Sequence, residues 1–251
     1  MVIIANKMQN PDKMTSIKTT ARIAGFLYLL QIPLGVFGIL YVPKALMVTG
    51  NMATTAFNIL ANEFSFRLSI VSAILCALVN IATALYIYKV LKFVNENYAN
   101  WILLFALIAA PISMLNELNS IAVLLLLKSH EYAIIFTQSQ LHSLISIFLD
   151  LHKYGHQIAG IFFGLWLLPM GYLVFKSTYI PKVIGVFLII TCLGYLIDFT
   201  TFFLYPNFGI IISEYVWVGE VLMVLWLLIR GVNVEKFEKW NEESPVLSHS
   251  R

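Results

Sequence analysis

Charged residues are scarce in this sequence of 251 residues. Asp, Glu, Lys and Arg together make up 12% of the chain, whereas hydrophobic residues make up 60%. So small a polar fraction cannot cover the surface of a water-soluble domain of this length. The lipid bilayer is therefore the expected partner. No nucleic-acid partner is expected, because the basic residues behind the net charge of +3 mostly flank apolar stretches.

Cysteine is also rare, and recognisable catalytic motifs are absent. Cys76 and Cys192 lie in different apolar stretches, so neither a disulfide framework nor a thiolate metal site is indicated. No nucleophile elbow of the GxSxG type occurs. We therefore expect no cofactor, and an enzymatic activity is neither predicted nor excluded.

Long hydrophobic runs are present instead. Six of them have about the 20 residues that a helix needs to cross the hydrocarbon core of a bilayer. They predict an all-α, polytopic membrane bundle over residues 21–233, with Pro33, Pro111 and Pro169 kinking three of its helices. The expected spans are residues 23–42, 66–91, 101–127, 154–175, 183–204 and 210–229.

The basic residues predict how the bundle is oriented. If the six spans alternate in direction, one side of the membrane holds only Lys44, Arg67, Lys128 and Lys153. Because cytoplasmic segments carry the excess of Lys and Arg, we expect both termini in the cytoplasm and the protein in the cell membrane. The basic residues on the expected cytoplasmic side are Lys7, Lys13, Lys18, Arg22, Lys89, Lys92, Lys176, Lys182, Arg230, Lys236, Lys239 and Arg251.

The segments outside the spans differ in character. Residues 1–20 are expected to be a cytoplasmic N-terminal segment, and residues 234–251 a flexible cytoplasmic tail. Apolar residues recur at helical spacing in residues 53–64 and 141–148 of the two long outer connections. Each connection is expected to contain an amphipathic helix, which either lies in the membrane interface or packs over the mouth of the bundle.

Ionisable residues inside the spans are candidates for function because a charge at the bilayer centre costs about 2.5 to 3.5 kcal/mol. Glu220 is near the middle of the sixth span, and Glu117, Asp198 and Arg67 lie in the outer half. Around Glu117, the side chains of residues 113, 116 and 120 form one polar stripe. We expect these residues to handle a ligand or protons in an outer-facing cavity, with Arg67 paired to Glu117 or Glu220.

Two histidines open the fourth span. His152 and His156 are one helical turn apart and on one face, and Gly160 and Gly164 continue the same row. The preceding Asp150 is expected to cap the helix. The pair could form interfacial hydrogen bonds, handle protons, or bind a metal. Metal ligation is the alternative rather than the expectation, because no third ligand lies nearby in the sequence.

Several short motifs, in their order and spacing, resemble the bacterial domain-of-unknown-function family 4386. The resemblance covers residues 21–233 and implies an integral membrane protein whose activity is uncharacterised. By analogy with recurrent positions of that family, it singles out Arg67, His152 and Glu220. The motifs are Ala21-Arg22-Ile23-Ala24-Gly25, Tyr28-Leu29-Leu30, Phe66-Arg67-Leu68, Leu151-His152 with Gly155, Phe162-Phe163-Gly164, Gly171-Tyr172-Leu173, Gly219-Glu220, Leu225-Trp226-Leu227 and Gly231-Val232-Asn233.

Three functions follow from these features. The first is binding or transport of a small polar or amphiphilic molecule, with carboxylates and histidine managing protons. The second is a membrane-embedded hydrolase with a metal held by His, Asp and Glu. The third is a structural or regulatory membrane subunit whose polar groups only hold the bundle together.

Overall fold

A computed structural model of the chain describes residues 11–205 and 207–243, and within them every regular element is helical. Residues 1–10 of the expected N-terminal segment lie outside the described part, whereas residues 11–20 already belong to the first helix. The helices are α1 (Pro11–Gly35), α2 (Val42–Leu46), α3 (Met52–Ala61), α4 (Glu63–Leu91), α5 (Glu96–Lys128), α6 (His130–Ile135), α7 (Gln138–Leu165), α8 (Leu167–Lys176), α9 (Lys182–Leu204), α10 (Ser213–Val216), α11 (Val218–Ile229) and α12 (Val234–Glu243).

The expected all-helical architecture is confirmed for the described residues, with several apolar helices suited to crossing a membrane. Five helical segments of the described chain are long and apolar enough to cross a membrane. The sixth predicted span corresponds to α10 and α11, which are 4 and 12 residues long and bend by 97° into α12. The protein therefore has five candidate spans, or six if this bent pair crosses. The five are Ile17–Leu46, Glu63–Leu91, Glu96–Lys128, Gln138–Lys176 and Lys182–Leu204.

Proline shapes two of the spans. Pro169 cannot donate to the carbonyl four residues before it, and α7 ends at that residue, Leu165, before α8 continues the same span. Pro33 lies inside α1, which gives way to a π-helical stretch over Val36–Tyr41 before α2. These breaks interrupt the regular α-helix without ending the apolar segments.

The two longer predicted connections contain helices. One predicted connecting helix is α3, whose Phe57 side chain is 70% exposed. The other is not separate: residues 141–148 form the first part of α7, which runs continuously into the fourth span. Asp150 consequently lies within α7, and the predicted cap at this residue is wrong. Thr137 caps α7 instead, in a reciprocal pair of hydrogen bonds with Gln140.

The segment from residue 234, expected to be a flexible tail, is helical over its described part. Residues 234–243 form α12, and the Phe237 ring packs edge-on against Phe93 and Tyr179 at 5.1 and 5.2 Å. Trp240 Nε1 donates to the Phe93 carbonyl. The polar composition predicted disorder, but the two aromatic residues give α12 an apolar face that binds the bundle. Residues 244–251 lie outside the described part.

One end of the bundle, which we call the basic end, brings together the start of α1, the α4–α5 and α8–α9 turns, and α12. Tyr179 anchors it: its hydroxyl donates to the Val90 carbonyl, and its own carbonyl accepts from Asn233. Burial raises the pKa of Tyr179, so the phenol stays protonated as a donor. Many lysines and arginines that flank the spans therefore gather at the same end.

Two apolar clusters pack the bundle. The large cluster is near the basic end and includes Ala24, Ile87, Ile102 and Leu173. The small cluster is toward the other end and includes Phe66, Val123 and Ile145. Between them along α1, α4, α5 and α7 lie buried or partly buried polar side chains, which we call the polar layer. The polar layer consists of Gln31, Asn80, Thr83, Ser113, Asn116, Glu117, Ser120, His152 and His156.

Glycines permit the closest helix crossings. A Cβ on Gly171 of α8 would be 2.8 Å from the Gly185 carbonyl oxygen of α9, and one on Gly164 would be 2.6 Å from Tyr195 Cβ. Gly164 thus has the role expected from its row, but a Cβ on Gly160 would meet no heavy atom within 4 Å. A close approach also occurs at Gly155, which lies outside that row.

We predict that Gly185→Ala destabilises the protein by about 1 to 3 kcal/mol, because the added methyl overlaps backbone that cannot rotate away. Gly160→Ala is the matched control: it adds the same methyl group to open space and should leave stability unchanged or slightly raised. Thermal unfolding in detergent micelles measures both variants. Equal melting temperatures would contradict the α8–α9 crossing.

Candidate functional site

The candidate site centres on a carboxylate and an imidazole that meet between α5 and α7. Glu117 Oε1 lies 3.0 Å from His152 Nε2, and the two side chains are only 9% and 17% exposed. The neighbouring Asn116 donates its amide to the His152 carbonyl at 2.8 Å. Gly155 allows this approach, since any Cβ there would overlap the Asn116 amide. These close contacts between α5 and α7 therefore position the pair.

Two further polar groups flank the pair. His156, one turn after His152 on α7, is close enough to interact electrostatically with both His152 and Glu117. Ser113, one turn before Glu117 on α5, has a buried hydroxyl oxygen with no hydrogen-bond partner in the described residues. The predicted stripe on α5 thus faces the predicted histidine row on α7. The site has a carboxylate, two imidazoles and a hydroxyl that has no partner within the described part of the chain.

A second site surrounds Glu220. Tyr28 of α1 donates to its Oε2 at 2.6 Å, and Tyr195 of α9 donates to Oε1 at 3.4 Å. The Tyr28 ring is held in turn by an edge contact with Trp166, at 5.5 Å between centroids. Two phenols therefore solvate both oxygens of an acid that starts the apolar helix α11.

Asp198 accepts hydrogen bonds from backbone amides. Its two oxygens accept from the amides of Ile212 and Ser213, at 2.5 and 2.8 Å, at the start of α10. A carboxylate at this position satisfies amide groups that a helix start leaves unpaired. Asp198 thus closes the connection between α9 and α10, and its burial is explained by that contact alone.

Arg67 is not part of either buried site. Its Nε donates to Glu63 at 2.7 Å on the same helix face, and its side chain is 53% exposed. The prediction that Arg67 pairs with Glu117 or Glu220 is therefore wrong. The i,i+4 spacing of Glu63 and Arg67 was visible in the sequence and is the signal that predicts this local pair.

Amides join α1 and α4 in the same polar layer. Gln31 donates to Thr83 Oγ1 at 2.8 Å and accepts from Asn80 at 3.1 Å. Asn80 Oδ1 is buried without a partner in the described residues. Sequence reasoning missed Gln31, although a lone amide in the middle of a span is a recognisable signal. It also missed Tyr28 and Tyr195, whose phenol groups no sequence pattern connects to Glu220.

The six predicted site residues therefore divide among separate contacts. Glu117, His152 and His156 come together, Glu220 binds two tyrosines, and Asp198 and Arg67 are satisfied locally. No group of three His, Cys, Asp or Glu side chains in the described residues could hold a metal, so the alternative of a metal bound by His152 and His156 gains no support.

A helical bundle with buried acids beside proton-donating partners defines a class: a multi-pass membrane protein with polar sites in its interior. The chain belongs to the family described as a domain of unknown function (DUF4386), whose profile matches residues 23–231. The family expected from the sequence is confirmed.

One similar protein is archaeal. An uncharacterized protein from Archaeoglobus fulgidus is 31% identical over 182 residues, which cover 72% of this chain and 94% of that protein. Because this relative is archaeal, the bacterial origin implied by the resemblance remains a prediction. No solved structure matches the chain.

We predict that Asp198→Ala loosens the α9–α10 connection, because two amides lose their acceptor, at a cost of about 0.5 to 2 kcal/mol. Asp150→Ala removes an exposed carboxylate from the middle of α7 and is the matched control. Limited proteolysis of purified protein should cut residues 205–212 faster in the first variant alone. Unchanged cleavage in Asp198→Ala would show that the carboxylate does not hold the connection.

Proposed function

We propose that this protein binds or transports a small polar or amphiphilic molecule through its polar layer, with Glu117 and His152 exchanging a proton with that molecule. The contact between the Glu117 carboxylate and the His152 imidazole carries the proposal. A carboxylate and an imidazole in contact can share one proton and release or accept another. Such residues inside a membrane domain commonly mark substrate or proton pathways.

Unsatisfied hydrogen-bonding capacity supports a polar guest in this layer. Ser113 Oγ and Asn80 Oδ1 are buried without partners in the described part of the chain. A buried polar group without a partner costs about 1 to 3 kcal/mol, so a polar molecule that hydrogen-bonds to either one would bind favourably. Both oxygens belong to helices that pack against each other, α4 and α5.

A structural or regulatory subunit is the second candidate. Asp198 satisfies backbone amides, and both oxygens of Glu220 accept from tyrosines. Each of these acids has enough partners to serve the fold alone. The two candidates differ in whether a polar molecule reaches the residues around Glu117.

Cysteine labelling tests the proposal. The background is a chain with Cys76 and Cys192 replaced by alanine. In that background, Ser113→Cys should react in membranes with a cationic methanethiosulfonate reagent, because a path open to a polar ligand should also be open to this small polar reagent. Ala109→Cys is the matched control, one turn away on α5 and fully buried. Adding Glu117→Gln should slow the cationic reagent several-fold more than a neutral one, since the attraction of the carboxylate is lost.

Equal, slow labelling at positions 113 and 109 would overturn the proposal and favour the structural subunit. If position 113 is labelled but Glu117→Gln does not change the rate, a polar path reaches position 113 and the Glu117 carboxylate does not contribute to it. Mass spectrometry of the intact protein measures the extent of modification in each variant.

We infer further that both termini face the cytoplasm of a cell membrane. The excess of basic residues at the basic end supports this orientation by the positive-inside rule. Green fluorescent protein fused to the C-terminus should fluoresce, whereas alkaline phosphatase fused there should be inactive. An active phosphatase fusion would reverse the orientation.

A further inference from the structure

A groove opens on the surface of the bundle between α4 and α5, away from the polar layer. Its volume is about 510 Å³. Its walls are apolar side chains of two candidate membrane spans, some exposed on the outside of the bundle and others buried at the base of the groove. The apolar lining residues are Ile70 and Val71 of α4 and Ile121, Leu124 and Leu125 of α5.

The mouth of this groove is basic. Arg67 and Lys128 line it at the ends of their spans, together with Ser129. Both cations contact the same oxygen of Glu63, at 2.7 Å from Arg67 Nε and 2.9 Å from Lys128 Nζ. One carboxylate thus holds two cations, one from each helix, over the apolar walls.

The mouth keeps a net positive charge, since two cations share one carboxylate. The Arg67 and Lys128 side chains are 53% and 50% exposed. Arg67 uses only Nε on Glu63, and its two terminal nitrogens have no partner among the described residues. These donors point to an anion, and a guanidinium matches the paired oxygens of a phosphate well.

The groove has a charged end and an apolar part, in the same order as the headgroup and acyl chains of a membrane lipid. The cations are at span ends, where a bilayer has its headgroups, and the apolar walls begin about one helical turn further into the span. Basic pockets between membrane helices are a known setting for anionic headgroups.

We propose that this groove binds an anionic glycerophospholipid, with its phosphate on Arg67 and Lys128 and an acyl chain against Ile121 and Leu125. Charge complementarity selects the headgroup, and the apolar walls select a lipid over free phosphate. The site is separate from Glu117 and His152, and it requires only that α4 and α5 cross a bilayer. It also provides a function for Arg67 outside the polar layer.

Native mass spectrometry of the full chain tests this site. After extraction from bilayers that contain equal phosphatidylglycerol and phosphatidylcholine, the wild type should retain phosphatidylglycerol preferentially. Arg67→Gln and Lys128→Gln should each reduce that preference about five-fold, as expected for the loss of one cation near an anionic membrane surface. Lys44→Gln removes another exposed cation of the same predicted side and should leave the preference unchanged.

A steric variant separates lipid from free phosphate. Leu125→Trp fills the groove without changing its charge, so it should reduce lipid retention and leave any stabilisation by inorganic phosphate intact. Thermal unfolding with inorganic phosphate alone measures the second quantity. Equal retention of both lipids by the wild type, unchanged preference in both glutamine variants, or unchanged retention in Leu125→Trp would each overturn the proposal.

Discussion

The cost of placing a polar group where water cannot reach it is the constraint on which this structure depends. Every buried donor and acceptor inside an apolar bundle needs a protein partner, because the surrounding hydrocarbon supplies none. Asp198 meets that requirement with two backbone amides, and Glu220 with two phenols. The helices that supply these partners are thereby fixed against one another. The same hydrogen bonds satisfy the buried polar groups and determine how the helices pack.

The position of the polar layer follows from the same constraint. Apolar side chains in two separate clusters pack the regions on either side, and the amides, hydroxyls and ionisable groups lie between them. At Gly155 the backbone approaches closely enough for Asn116 to reach the His152 carbonyl. The Glu117–His152 contact therefore depends on a glycine that itself carries no chemistry. Surface charge follows another rule: Arg67 and Lys128 remain half exposed at the span ends, where headgroups and water share the solvation.

Some features of the site were predictable because they depend on one helix at a time. The polar stripe through Glu117 and the row of His152 and His156 follow from helical periodicity alone. That they face each other was not predictable, since it depends on how α5 and α7 are rotated. The roles of Tyr28 and Tyr195 could not be predicted for the same reason. Tyrosine is common in membrane spans, and only the tertiary structure places these two hydroxyls beside Glu220. Arg67 departs from the prediction because it pairs with the glutamate four residues earlier on the same helix, a contact that depth in the membrane does not reveal.

The sequence by itself determined the helical, membrane-suited architecture, its family and the depth of each ionisable residue, because hydropathy and residue position along a helix are properties of consecutive residues. Only the tertiary structure decided which polar groups meet. Partners such as Tyr28 and Glu220 are far apart in the chain, and their contact depends on helix rotation and crossing. Those are set by side-chain packing between helices, with glycines such as Gly171 and Gly185 permitting the closest approach.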